Sequence, residues 1–67
     1  MNYFDYKKVA TEAKIPANKL KDLEKIVGEE FSRDPMMAEL HILRACMAIR
    51  DGYLTLEEAL IKEPKVA

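Results

Sequence analysis

Cysteine and glycine are scarce in this chain, and each scarcity removes a possibility. Cys46 is the only cysteine, so no disulfide can form within one copy, and a lone thiol in a short sequence suits a reducing compartment. The only glycines are Gly28 and Gly52, too far apart to build a loop that cradles phosphate. No apolar run approaches the roughly 18 residues that a membrane span needs, and the stretch MNYFDYKKVATEAK lacks an apolar segment of signal-peptide length. A cytoplasmic protein outside the membrane is therefore expected. An excess of one charge is missing too, with 11 Lys and Arg against 12 Asp and Glu. Residues 1–27 hold six lysines against four acids, and residues 28–67 hold five basic residues against eight acids. The first part is mildly basic, far short of a strong nucleic-acid footprint.

What remains is one small domain, residues 1–67. A core of this size rarely supplies more than about 3 to 5 kcal/mol, and small scaffolds usually add disulfides, a metal or oligomerisation. With disulfides excluded, association with a second copy becomes an expectation. No segment alternates with period two, which predicts no sheet. Pro16, Asp34-Pro35, Gly52 and Pro64 punctuate four segments with helical spacing instead. The first, about Tyr3 to Lys14, puts Tyr6, Val9, Ala10 and Ala13 on one side. The second, about Ala17 to Ser32, does the same with Leu20, Leu23, Val27 and Phe31. Gly28 interrupts it at a cost of up to about 1 kcal/mol relative to alanine, so a bend or early fraying is expected there. The third runs from Asp34 to Arg50, with Asp34 as N-cap and Pro35 at the first helical position. The fourth, Thr55 to about Lys62, presents Leu56, Ala59 and Leu60. The expected fold is all-α, a small four-helix domain with a central apolar third helix.

The stretch RDGYLTLEEA, residues 50–59, matches the exit half of a calcium-binding EF-hand loop at Asp51, Gly52, Leu54, Thr55 and Glu58. Calcium needs six to eight oxygens, and the first and third loop positions normally supply two of them; here they are Met47 and Ile49. A helix stop at Gly52 and a capping box from Thr55 to Glu58 account for the same residues without a metal. No metal or other cofactor is expected.

The third helix, containing MMAELHILRACMAI, is apolar almost all round. At about 100° per residue, Met36, Leu40, Leu43 and Met47 form one stripe, and Ala38, Ile42, Ala45 and Ile49 another roughly opposite. A helix with two apolar stripes is buried on two sides, and so short a chain covers both only with difficulty. The second stripe, Ala38, Ile42, Ala45 and Ile49, is expected to meet another copy or a partner. His41 and Cys46 point about 140° apart and cannot share a ligand. Without convergent catalytic groups, no enzyme is expected.

The segment VATEAKIPANKLKDL, residues 9–23, has Val9, Ala10 and Ala13 on the inner side of one helix, Ile15 in a turn, and Leu20 and Leu23 to dock the next. This spacing resembles the DNA-binding helix-turn-helix of small bacterial repressors and antitoxins, over about 20 residues. It departs from that pattern at Lys14, where glycine is usual, which implies a more open turn. The resemblance implies that Pro16, Ala17, Asn18, Lys21 and Asp22 face the groove. It gives phosphate contacts to Lys14, Lys19, Lys21 and Lys25, and adenine recognition to Asn18. Asp22 opposes such binding. The leading functional expectation is thus a homodimeric helix-turn-helix regulator of duplex DNA; the alternative is a protein-interaction module that docks a partner helix through its methionine-rich third helix.

Overall fold

The computed structural model describes residues 3–60. Among these the chain is all helical, in the order α1 (Tyr6–Glu12), α2 (Ala17–Glu30), α3 (Pro35–Arg50) and α4 (Leu56–Leu60). The continuation of the fourth helix to Lys62 and the stop at Pro64 lie outside the described residues.

Local chemistry sets most helix ends. Asp34 accepts the Met37 N–H at 3.1 Å and Pro35 follows at the first helical position, satisfying one of the free donors that open every helix. Asp5 caps α1 in the same way, through the Lys8 N–H at 3.3 Å. This starts α1 at Tyr6, later than the periodicity indicates. The preceding residues serve elsewhere: Tyr3 and Phe4 donate their backbone N–H groups to Oε1 of Glu39 on α3, the latter at 3.0 Å. Thr55 and Glu58 form the expected capping box, with Glu58 N–H to Thr55 Oγ1 at 3.1 Å and Thr55 N–H to Glu58 Oε1 at 3.0 Å. Helix α2 continues through Gly28 and ends at Glu30, two residues beyond it.

Helices α1 and α3 stop by one device. At the end of α3, Gly52 takes φ 86°, while its N–H reaches Ile49 O at 3.2 Å and the Tyr53 N–H reaches Ala48 O at 2.8 Å. At the end of α1, Lys14 takes φ 60°, its N–H bonds to Thr11 O at 3.0 Å, and the Ile15 N–H reaches back to Ala10 O at 3.0 Å. Both are Schellman closures, in which the N–H of a left-handed residue and that of the residue after it satisfy the last carbonyls. The turn at Lys14 is therefore closed rather than open. Buried Ile15 over buried Ala10 is the apolar contact that accompanies the motif, and it helps offset the strain at lysine.

The core comprises Tyr6, Ala10, Ile15, Leu23, Val27, Ala38, Ile42 and Cys46. Helix α3 lies against both α1 and α2, and α2 also meets α4. The molecule is only 19 Å thick in its narrowest direction, about two helix diameters. Among the described residues, α1 and α2 pack against one side of α3, and on the other side Met36 and Met47 are exposed. The stripe Ala38, Ile42, Ala45 and Ile49, expected at an interface between chains, is instead directed inward. Ala38 and Ile42 are buried, and Ala45 and Ile49 pack against the core. Small alanines on that side let the neighbouring helices approach closely, while the longer methionines point away.

Candidate functional site: the outward face of α3 and the polar face of α2

The outward stripe of α3 consists of Met36, Leu40, Leu43 and Met47. Met36 is 48% and Met47 40% exposed, whereas Leu40 and Leu43 are half-buried, Leu43 leaning on the core. Half-buried Glu39 and exposed Arg44 stand on opposite shoulders of this stripe, about 60° to one side and 80° to the other at 100° per residue. On the Glu39 side lies α1. Arg50, continuing that shoulder, is drawn toward α1 by Glu12 at 2.9 Å and also pairs with its neighbour Asp51 at 3.0 Å.

On the other side of α3, a groove of about 670 Å³ opens between α2, α3 and the segment leading into α4. Leu23, Ile26, Val27, Ala45, Leu54 and Ala59 supply its apolar lining, with His41, Glu58 and Tyr53 around it. Tyr53 is 87% exposed. The His41 ring rests against Phe31, centroids 5.4 Å apart, so it serves as a packed surface side chain.

The candidate DNA-contacting residues Lys14, Asn18, Lys19, Lys21 and Lys25 are all exposed. They do not form one basic face. On α2, Asn18, Asp22, Lys25 and Glu29 share a stripe, with Lys21 beside it and Lys19 about 100° away. Acids thus alternate with lysines along the surface that a duplex would meet. Of the residues expected to dock α2 on α1, Leu23 is buried and Leu20 packs on the core, but α1 and α2 have little direct contact with each other. Helix α1 packs most extensively against α3. A hydrogen bond also joins α1 to α2: the Tyr6 hydroxyl donates to Glu24 Oε2 at 2.5 Å.

Two titratable groups lie inside. Burial raises the Tyr6 hydroxyl above the ordinary tyrosine range, and the hydrogen bond and negative charge of Glu24 raise it further. Burial, then the charge of Glu24, also pushes the Cys46 thiol up, which disfavours the thiolate that nucleophilic chemistry requires. His41 is exposed while Cys46 is fully buried, so the two face different environments. Among the described residues no group of three or more His, Cys, Asp or Glu side chains could hold a metal, and no helix is long and apolar enough to cross a membrane. Sequence reasoning missed the contacts of Glu39, of Arg50 with Glu12, and of Tyr6 with Glu24. Each joins residues at least 18 positions apart, and helical periodicity carries no signal for such pairs. Comparisons with family models, curated protein sequences and solved structures returned no match.

Proposed function

We propose that this chain is a helical protein-interaction module that docks through the outward face of α3 and acts by occupying a partner rather than by chemistry. The observation that carries the reading is the exposure of Met36 and Met47, 48% and 40%, on the helix that forms the centre of the fold. Large apolar side chains aligned on one face are what helix docking uses, and methionine adapts to varied surfaces. Titrating the isotope-labelled chain with amphipathic helical peptides, followed by NMR, tests it. Shifts should gather at Met36, Leu40 and Met47 and vanish in Met47→Glu. Peptides that perturb no residue of this face at millimolar concentration would overturn the reading.

A second reading has its own observation. Lys14 occupies, in a left-handed conformation, the place where helix-turn-helix motifs usually carry glycine, and α2 then exposes Asn18, Lys21 and Lys25. In this reading the chain is a small DNA-binding regulator, with Lys14, Lys19, Lys21 and Lys25 on phosphates and Asn18 on a base. Asp22 and Glu29 on the same stripe weigh against it and place it second. Fluorescence anisotropy with random duplexes decides. Binding should fall steeply with salt, each Lys→Ala change should flatten the salt slope by about one unit, and Asn18→Ala should erode sequence preference. No binding at low salt eliminates this reading.

A further inference from the structure

We propose that the occupant of the α3 face is a second copy of this chain, the two α3 helices lying side by side in parallel. The inference rests on the docking reading and names its partner.

Met36, Leu40, Leu43 and Met47 are separated by steps of four, three and four residues. That is the spacing at which two helices mesh along a common seam, each side chain entering the gap between those of the other helix. Such a seam fits an identical seam. The flanking charges set the direction. Glu39 and Arg44 stand on opposite shoulders and five residues apart, so in a parallel pair Glu39 of one copy faces Arg44 of the other, and two-fold symmetry makes the contact twice. An antiparallel pair would bring like shoulders together and set Arg44 near Met37, with no charge to meet. Both groups are available: among the described residues Arg44 makes no ion pair, and the hydrogen bonds to Glu39, from Tyr3 and Phe4, both fall on Oε1. The seam ends at Met47, because the next position on it is Arg50, held by Glu12 and Asp51.

The contact is modest. From Met36 to Met47 the helix advances about 17 Å at 1.5 Å per residue, which places the interface at the low end of specific ones. Association is accordingly reversible.

Sedimentation equilibrium of the full chain, from about ten to several hundred micromolar, should show monomer and dimer in exchange. Met47→Glu should weaken the dimer by about tenfold or more with an unchanged circular dichroism spectrum, and Arg44→Glu should weaken it as well. Met36→Ser serves where Met47→Glu perturbs the fold. Direction is read from Met36→Cys, which in a parallel pair meets its own counterpart and should give a covalent dimer on mild oxidation; the parent chain, with Cys46 buried, should not. A monomer throughout, or a dimer indifferent to Met47→Glu and Met36→Ser, overturns the proposal. A dimer that these changes break but Met36→Cys does not cross-link overturns the parallel arrangement. A monomer that still binds amphipathic peptides through Met36 and Met47 leaves the docking reading intact while removing the second copy.

Discussion

Lys14 carries strain that its sequence position does not require. A side chain with a Cβ meets the following carbonyl in the left-handed region, at a cost of roughly 1 to 2 kcal/mol, yet Lys14 sits at φ 60° because two backbone hydrogen bonds and the burial of Ile15 depend on it. Replacing it by glycine relieves the strain but adds freedom to the unfolded chain. Lys14→Gly is therefore expected to stabilise the domain by about 0.5 to 1 kcal/mol, read as a rise in the urea midpoint. The same change should weaken duplex binding at low salt if the DNA reading holds, so one variant reports on both. Tyr6 yields a prediction in pH. Its folded pKa is raised by burial and by Glu24, so its contribution is complete below the unfolded value of about 10. As pH rises beyond that value the unfolded state loses a proton that the folded state retains, and stability falls. Urea denaturation across this alkaline range should show that decline, and Tyr6→Phe should remove the tyrosine's share of it, leaving the share of the Cys46 thiol, which burial raises in the same way.

The helices differ in how openly their roles were written in the sequence. Caps were legible because they are local: Asp34 with Met37, and Thr55 with Glu58, lie three residues apart and need no knowledge of the rest of the fold. The ends of α1 were less so. Its start depends on Asp5 and on Glu39 holding Tyr3 and Phe4, and its stop on a lysine where glycine is usual. Gly28 was read as a weak point, yet α2 passes through it, and a Cβ built there meets nothing within 4 Å. Gly28→Ala should then stabilise by about 0.5 to 1 kcal/mol through helix propensity alone, measurable as an increase in thermal midpoint. Which stripe of α3 lies inside was not legible, because both have helical period and similar apolar character; the choice belongs to the helices packed against it. That choice is testable by introducing charge. Ile42→Asp buries an unpaired carboxylate and should unfold the chain, while Met47→Asp should leave its circular dichroism intact.

At the scale of the whole molecule, the thin two-layer arrangement links stability to association. A domain of 67 residues has only a few kcal/mol in reserve, so anything that binds the folded state but not the unfolded one moves the equilibrium visibly. If two copies pair through α3, the thermal midpoint must rise with protein concentration, because the dimer draws folded monomer out of the unfolding equilibrium. A strictly monomeric domain has a midpoint independent of concentration. Differential scanning calorimetry over a hundredfold range of concentration should therefore show a rise of several degrees, since about 1 kcal/mol corresponds to roughly 4 to 8 °C in a domain of this size. Replacing Met36 and Met47 together by serine should flatten that dependence while leaving the dilute-limit midpoint close to that of the parent, because both side chains already face solvent in the single chain. A midpoint that does not move with concentration in the parent chain would place the working partner of this face outside the chain itself.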